Sequence, residues 1–413
     1  MPSSRLLKRI VLVFSVLIVV ACASKTATVA PVQEEFVVEK KADSAIFLLG
    51  IQRTAEYLPL LKGKRVGVVA NHTAIIGEKH LVDTLLAMGI KVKYVFAPEH
   101  GFRGDADAGA EVKDGIDSKT GLPLFSLYGK NKKPSKAWMD SLDILVFDIQ
   151  DVGARFYTYI STLHYVMQAC AEYNKPLIIL DRPNPNGNYV DGPVLQKKYK
   201  SFVGMHPIPV VHGMTIGEYA QMVNGEKWLH DSLDLKCSLT VIKMENNHHD
   251  MVYNLPVHPS PNLTTMRAIY LYPSLCFFEG TIMSVGRGTE FPFETYGHPN
   301  YSDKIFSFTP VPIKGKSMDP LLKGEKCFGK DSRGMAIDSL RVKGLDLTYL
   351  IDAYKNTKSE NFFAFSKFFD QLAGSDRLRK QIMEGKSEAE IRASWQEELN
   401  AFKEVRKKYL MYP

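Results

Sequence analysis

Four apolar segments in the first half of the chain most constrain what it can fold into. Each is a near-continuous run of strand-forming residues, and helix-like segments such as 78–88 and 159–173 lie between them; the runs are 65–70, 92–97, 144–147 and 177–180. Strands that are apolar on both faces are typical of a parallel sheet covered on both sides by helices. The sequence therefore predicts an α/β domain with a parallel sheet over residues 44–200.

The second half of the chain has a less regular pattern. Residues 214–229 predict a helix and 239–244 a strand, whereas 255–299 are rich in Pro, Asn and Tyr and predict a long loop. A loop of that length in a folded domain usually carries function. The last part of the chain predicts helices over 361–372, 376–384 and 387–409. We therefore predict a second, smaller α/β or α+β domain over residues 201–413.

The first 22 residues are typical of an exported lipoprotein. Arg5, Lys8 and Arg9 precede an apolar run, 10–21, that is short for a bilayer span and fits a secretory signal. The run ends in Val-Val-Ala-Cys, which resembles the bacterial lipobox, whose cysteine becomes the acylated N-terminus. We expect residues 1–22 to be a signal peptide with lipidation at Cys22, and 23–43 a flexible tether. An uncleaved anchor and a plain signal peptide are the alternatives.

This N-terminal pattern predicts a location. A lipid on Cys22 would hold the protein on a membrane of the cell envelope, on the side that faces the periplasm. The remaining cysteines are widely spaced and form no CxxC pair, so export permits a disulfide but the spacing demands none.

Charge and motif content exclude several classes of function. The formal charge of +7 is spread over many lysines, which is typical of solvated faces and not of a nucleic-acid surface. The sequence has no Walker-type phosphate loop, no GxGxxG fingerprint and no zinc-finger spacing. We therefore expect no nucleic-acid partner, no cofactor and no bound metal.

Polar residues follow each of the four predicted strands. They are Asn71, His72, Glu99, His100, Asp148, Gln150, Asp151, Asp181 and Arg182. The carboxyl ends of parallel strands meet at one edge of a sheet, where ligands bind. Asp and Asn are also ordinary turn residues, so no single one identifies a site. Together they predict an active site at this edge.

Glu99 is the strongest candidate for an acid catalyst. It follows the second apolar run and stands beside His100, where partial burial favours the protonated form that a proton donor needs. Asp148 holds the equivalent place after the third run, and a pair of carboxyl groups is the usual equipment for glycoside hydrolysis. The alternatives are an ion pair between Glu99 and Arg103, and a structural Asp148 that accepts backbone N–H groups.

Arginines in constrained loops are candidates for recognising an acidic ligand. Arg103, Arg155, Arg182 and Arg287 are flanked by glycine, proline or aromatic residues, and a guanidinium binds a carboxylate through two hydrogen bonds. Tyr157 offers an aromatic face for a sugar ring. A different set, His72 and His100 with Asp148, has residue types that suit a divalent metal, although no HExxH-like pair is present.

Several motifs together are specific enough to indicate a family. They are ANHT (70–73), FAPEHGFRG (96–104), FDIQDVGARFYTY (147–159), DRPNP (181–185), PN (261–262), FEGT (278–281), GRGT (286–289) and YLMYP (409–413). In these segments the chain resembles the exo-β-N-acetylmuramidase (NamZ) family, formerly a domain of unknown function. The resemblance covers roughly residues 44–413.

The resemblance implies a fold, a reaction and a substrate. It implies a Rossmann-like domain joined to a smaller one, with the active site in the cleft between them. It also implies removal of terminal N-acetylmuramic acid from the non-reducing end of peptidoglycan fragments. Glu99 is then the general acid, and His100 and Asp148 tune it or act on water. The substrate-side candidates are Asn71, His72, Arg103, Gln150, Asp151, Arg155, Tyr157, Asp181, Arg182, Glu279 and Arg287.

Other functions and mechanisms stay open at the level of sequence. One alternative is a non-catalytic lipoprotein that binds muropeptides, and another is a metal-dependent hydrolase. A glycosidase acting on a 2-acetamido sugar can retain or invert the anomeric configuration, or use the acetamido carbonyl of the substrate itself as the nucleophile. No protein partner is predicted.

Overall fold

Twelve strands occur in the part of the chain that the structure describes. This computed structural model describes residues 46–103 and 114–413. The strands are β1 (Arg65–Ala70), β2 (Ile75–Ile76), β3 (Lys79–His80), β4 (Lys91–Ala97), β5 (Gly115–Ile116), β6 (Pro123–Ser126), β7 (Ile144–Asp148), β8 (Leu177–Leu180), β9 (Leu239–Ile242), β10 (Thr295–His298), β11 (Phe306–Phe308) and β12 (Cys327–Asp331). The predicted signal peptide, Cys22 and the tether lie outside the described residues.

The main sheet of the described residues has seven strands in the order β5-β6-β4-β1-β7-β8-β9. All neighbours pair in parallel except β5 and β6, and in the centre Val68 lies beside Val95 on one side and Val146 on the other. The four predicted apolar runs correspond to strands β1, β4, β7 and β8. The predicted α/β fold with a largely parallel sheet is therefore confirmed.

Helices cover both faces of this sheet. Val66, Val68 and Val146 point into one buried apolar cluster with residues of two helices, α1 (Thr54–Leu61) and α2 (Leu81–Ala87). Their strand neighbours Val69 and Phe147 point the opposite way, into a second cluster with α4 (Tyr159–Glu172) and α5 (Ile216–Gly225). Successive side chains of a strand alternate between faces, so a continuous apolar run fills both clusters.

The remaining helices lie mostly in the second half of the chain. They are α3 (Lys136–Asp140), α6 (Met266–Leu275), α7 (Ile337–Lys343), α8 (Thr348–Asn356), α9 (Ser366–Ala373), α10 (Arg377–Met383), α11 (Glu388–Ala393) and α12 (Gln396–Lys407). The helix predicted over 387–409 is in fact two helices, because the chain turns at Ser394 and Trp395 between them. Over residues 46–103 and 114–413, no helix has the length and apolar character needed to cross a membrane.

The prediction of a long loop over residues 255–299 is wrong in part. It contains α6, the 3-10 helix Cys276–Gly280 and strand β10, which pairs with β12 in a smaller antiparallel sheet of order β10-β12-β11. Helix α6 was not predicted because it contains Pro273, and proline usually breaks a helix. The large sheet takes its last strand, β9, from beyond residue 200. The division into domains 44–200 and 201–413 stays a prediction.

Candidate active site

A cavity of about 240 Å³ lies at the carboxyl edge of the large sheet. Glu99 and His100 follow β4, Tyr128 follows β6, and Tyr157 and Thr158 lie between β7 and α4. The rest of the lining comes from Phe156, beside Tyr157, and from later parts of the chain: Phe202, Val203, Ser260, Asn262, Leu263, Tyr272, Glu279, Arg287, Phe293 and Phe368. The predicted location of the site, where parallel strands end, thus contains a cavity.

Glu99 is a half-buried carboxyl group in the wall of this cavity. Pro98 separates it from the last residue of β4, so the strand delivers it just beyond the sheet. The hydroxyl of Thr158, at the start of α4, donates a hydrogen bond to Glu99 Oε2 at 2.9 Å. This contact orients the carboxyl group while the cavity keeps access to it.

His100 adopts a backbone conformation that is rare for a residue with a side chain. Its φ is 70°, and the following Gly101 has a φ of 79°. The chain turns here, with the N–H of Gly101 donating to the carbonyl of Pro98 at 3.2 Å. Non-glycine residues in this left-handed region cluster at functional sites, where the surroundings hold the strain. The turn places both Glu99 and the buried His100 in the cavity wall.

Tyrosines surround the acid. Burial, followed by the charge of Glu99, raises the pKa of Tyr128 above its ordinary value, so its hydroxyl stays protonated beside that carboxyl group. The Tyr157 ring packs edge-on against Tyr159 and Tyr272, with centroid distances of 4.8 and 5.7 Å. The cavity therefore combines aromatic faces with polar groups, as sugar-binding sites do.

A second carboxyl group, that of Glu279, also lines the cavity and is paired with an arginine. Glu279, in the 3-10 helix after α6, accepts a 2.7 Å hydrogen bond at Oε1 from Arg287 Nε. Burial disfavours the charge of Arg287, yet the neighbouring Glu279 raises the pKa of the guanidinium above its ordinary value. Within the described residues, Arg287 Nη1 is buried without a hydrogen-bond partner. A guanidinium with an unused buried donor is suited to bind an anionic group of a ligand.

Asp148, which was predicted to act beside Glu99, does not line this cavity. It is the last residue of β7, and both of its oxygens accept hydrogen bonds from Arg182, at 2.5 Å from Nε and 2.9 Å from Nη2. Both side chains are buried, with 0% of Asp148 and 3% of Arg182 exposed. These contacts agree better with the alternative in which Asp148 has a structural role, although its partner is an arginine and not a backbone N–H.

Two further arginines predicted to meet the substrate bind the protein's own groups. Arg155 is fully buried and donates to the carbonyls of Pro193, Ile208 and Leu372 at 2.7–2.8 Å. Arg103 pairs with Asp117 at 2.8 Å and with Asp83 at 3.4 Å, and not with Glu99 in any contact that the described residues show. Of the four arginines singled out in the sequence, Arg287 alone lines the cavity in the described structure.

The remaining polar residues at the strand ends hold the loops together. Asn71 binds Thr73 and Tyr159, while His72 Nε2 lies 2.7 Å from the carbonyl of His258. Gln150 donates to the carbonyls of Asp151 and Pro183, and Asp151 accepts from the N–H of Gly153. Asp181 accepts hydrogen bonds from Thr215, Gly217 and Tyr412. None of the five lines the cavity that contains Glu99, and a role for them in binding substrate stays a prediction.

Burial changes the proton affinity of two of these acids. The pKa of Asp151 is raised to about 7 and that of Asp181 to about 6, in both cases chiefly because burial disfavours the charged carboxylate.

The metal site considered as an alternative, with His72, His100 and Asp148 as ligands, does not assemble. In the described residues, no group of three or more His, Cys, Asp or Glu side chains is arranged to hold a metal ion.

Sequence analysis missed several residues of the cavity wall. Tyr128 follows a short apolar run, Leu-Pro-Leu-Phe-Ser-Leu, which is a strand-and-exit signal like the four recognised ones. Thr158 lies inside a quoted motif, but a threonine beside two tyrosines gives no signal of its own. Phe202 and Phe293 come from irregular segments, and the pattern of residues there does not show which side chains face inward.

The fold and the cavity define a class of protein. At the carboxyl edge of a parallel sheet, one cavity contains a half-buried carboxyl group, a carboxylate paired with an arginine, and several aromatic rings. Such a set of groups is suited to acid-assisted cleavage of a polar, acidic ligand. Models of the exo-β-N-acetylmuramidase NamZ family match the chain over residues 66–267 for the N-terminal part and 270–412 for the C-terminal part. The chain therefore belongs to this family, and the cavity takes residues from both matched parts.

Known relatives agree with this assignment. The chain is 41% identical over 375 residues to the peptidoglycan β-N-acetylmuramidase NamZ of Bacillus subtilis (strain 168), a match covering 86% of this chain and 89% of that protein. Two crystal structures of DUF1343 family proteins from Bacteroides fragilis NCTC 9343 are also similar. The one at 1.30 Å resolution has 49% identity and a TM-score of 0.81, and the one at 1.65 Å has 29% and 0.73; each match covers 89% of this chain and 99% of the other.

Proposed function

We propose that this protein is an exo-acting glycosidase that removes terminal β-N-acetylmuramic acid from peptidoglycan fragments. The observation that carries the proposal is the meeting of Glu99 with the Glu279–Arg287 pair in one cavity of about 240 Å³, in a chain that matches the family over both parts. At about 240 Å³ the cavity is smaller than the pockets of roughly 300–1,000 Å³ that take drug-sized ligands, which agrees with a site for one terminal sugar and hence with exo-cleavage.

Glu99 acts as the general acid. In its protonated form it gives a proton to the glycosidic oxygen while the bond from that oxygen to the anomeric carbon breaks. Water supplies the new hydroxyl group at the anomeric carbon, and its second proton restores the acid, so the net reaction adds one water across the bond. Thr158 and Tyr128 hold the carboxyl group in place, and His100 fixes the turn that carries it.

Glu279 takes the place that the sequence had given to Asp148, as the second carboxyl group at the reacting centre. It lines the cavity with Glu99, whereas Asp148 is held by Arg182 outside the lining. Arg287 then has two partners: its Nε binds Glu279 at 2.7 Å, and its buried Nη1 binds the lactyl carboxylate that distinguishes muramic acid from glucosamine.

The N-terminal sequence supports a place of action. We propose that Cys22 is lipidated and holds the enzyme on the periplasm-facing side of a cell-envelope membrane, where peptidoglycan fragments occur. Labelling with a radioactive or clickable fatty acid tests this. The native chain should carry the label and fractionate with membranes, and Cys22→Ala should lose both properties.

The catalytic proposal is tested with a chromogenic β-N-acetylmuramide. We expect Glu99→Gln to lower turnover by roughly 10²- to 10⁴-fold, because the amide cannot donate the proton in the same way. Glu78→Gln, an exposed acid that does not line the cavity, is the matched control and should keep full activity. Full turnover by Glu99→Gln would remove Glu99 from the mechanism, and binding without turnover by the native chain would favour a muropeptide-binding protein.

A further inference from the structure

A second cavity, of about 270 Å³, has a basic and aromatic lining that the hydrolytic reaction does not use. The residues that give it this character are Lys197, Lys200, Lys227, His206, His230 and Trp228. None of them lines the cavity that contains Glu99. Its chemistry therefore requires an explanation of its own.

Positive charge exceeds negative charge around this second cavity. Asp231 is the one carboxylate in its lining, and it is shared by Lys197 at 3.7 Å and Lys200 at 3.5 Å. Lys227 contacts Asp234 at 2.6 Å, but both side chains are well exposed, and exposed ion pairs of this kind are weak. A ligand with negative charge can displace these contacts at little cost.

The two histidines offer hydrogen-bonding groups beside the lysines. The His206 ring stacks on Trp228 at 5.0 Å and 19°, and its Nε2 lies 3.0 Å from His164 Nδ1. Burial lowers the pKa of His206 well below its ordinary value, so this imidazole is neutral. His230 Nδ1 accepts the backbone N–H groups of residues 232 and 233, both at 3.1 Å, which assigns its proton to Nε2 as a donor.

Lys227 occupies a strained backbone position. It follows the end of α5 with a φ of 59°, at a place where helices commonly have glycine. A side chain in this left-handed region costs backbone energy that glycine would not. The chain nevertheless places a lysine here, and that lysine lines the cavity.

We propose that this second cavity binds a small anion of the carboxylate or phosphate type with at least two negative charges. The three lysines and the N–H of His230 hold the charged groups, and Trp228 packs against the body of the ligand. Both sources of such an anion, inorganic phosphate and organic dicarboxylates, share this chemistry, and the experiment below separates them.

The same anion would act on the active site through a short hairpin. Ser201 and Gly204 exchange two backbone hydrogen bonds of 2.9 and 3.0 Å, and Phe202 and Val203 at its tip line the cavity with Glu99. Lys200 immediately precedes the hairpin, and Met205 and His206 immediately follow it, in the lining of the second cavity. An anion held by Lys200 therefore orders the segment that carries part of the active-site wall.

Calorimetric titration of the full chain at constant ionic strength tests the binding. Inorganic phosphate and glutarate are added separately, with glutaramide as a neutral probe. We expect saturable binding of at least one anion and none of the neutral diamide; tighter binding of phosphate indicates a phosphate ligand, and tighter binding of glutarate a dicarboxylate. Failure of both anions to bind, or equal binding of the neutral diamide, overturns the proposal.

Two lysine variants separate a binding role from a structural one. Lys227→Gly relieves the strained backbone, so we expect it to melt no lower than the native chain while binding the anion roughly tenfold more weakly, the loss of one charge-assisted hydrogen bond. Lys236→Gly removes a charge from the same stretch of the chain but lies outside the cavity, and should bind as the native chain does. Equal affinity of the two variants contradicts the site.

Hydrogen exchange tests the link to the hairpin without relying on activity. An anion concentration near the native Kd should slow amide exchange in residues 201–204 of the native chain, and the same concentration should slow it far less in Lys227→Gly, which binds more weakly. Unchanged exchange in the native chain would show that the anion does not order the hairpin.

Discussion

Breaking the buried pair of Asp148 and Arg182 gives the sharpest test of whether Asp148 is structural. The two side chains are 0% and 3% exposed, and they are joined by two hydrogen bonds of 2.5 and 2.9 Å. Arg182→Met removes the cation and leaves a buried, uncompensated carboxylate. Asp148→Asn removes the anion and leaves a buried guanidinium. The double variant leaves two neutral side chains of similar volume.

The expected magnitude follows from this burial. Removing one partner of a buried pair costs about 3–5 kcal/mol, because the remaining charge loses both its counter-ion and its solvent. Folded domains are stable by only about 5–15 kcal/mol, so either single variant loses a large part of its stability. Replacing both charges at once often costs little. We therefore expect the double variant to be more stable than either single variant.

Urea denaturation of the four proteins, combined with turnover per folded molecule, makes the measurement. Asp148→Asn should unfold at lower urea concentration yet keep turnover within the folded fraction at low temperature. The opposite pattern, a stable Asp148→Asn with turnover reduced by two orders of magnitude or more, would refute the structural role and return Asp148 to the reaction. Single and double variants of equal stability would show that the pair does not act as a unit.

Three further outcomes follow from the same structure. Glu279→Gln should lower turnover of a β-N-acetylmuramide by roughly 10²-fold or more, while Glu290→Gln, an exposed acid on the same segment, should not; unchanged turnover in both would remove Glu279 from the site. The pKa of Asp151 is raised from 3.8 to about 7, so its contribution to stability is complete below the lower value and is lost as the pH rises through the higher one. The free energy of unfolding should therefore fall across that interval, and Asp151→Asn should reduce the slope. Gly280→Ala would place a Cβ 2.5 Å from Phe369 Cα, so it should destabilise the protein by about 1–3 kcal/mol in thermal melts and shift the neighbouring Glu279.

The parallel sheet was predictable because its strands are buried on both faces. Runs such as Val66–Ala70 have no polar alternation, and only a sheet between two helical layers accommodates them. The small sheet of β10, β11 and β12 was not predictable from pattern. Its strands are three to five residues long and contain Gly297 and Gly329, so neither periodicity nor strand propensity marks them.

The candidate site was predictable in its location but not in its membership. Arg103, Arg155, Arg182 and Arg287 have similar surroundings in the sequence. Three of them bind carbonyls or carboxylates supplied by distant segments, such as Leu372 for Arg155, and no local pattern carries that information. Arg287 differs because it lines the cavity that contains Glu99, where its Nη1 lacks a partner in the described residues. The difference is a property of the folded chain.

Asp148, Asp181 and Glu99 lie at different distances from the ends of their strands. Asp148 is the last residue of β7 and Asp181 follows β8 directly, so both carboxylates remain between the helical layers and are fully buried. There the cost of desolvation requires full hydrogen bonding, from Arg182 in one case and from Thr215, Gly217 and Tyr412 in the other. Glu99 is the second residue after β4, because Pro98 lies between it and the strand, and the turn at His100 then moves the chain out of the sheet. Glu99 is therefore half-buried in a cavity wall, where a carboxyl group can exchange a proton with a ligand.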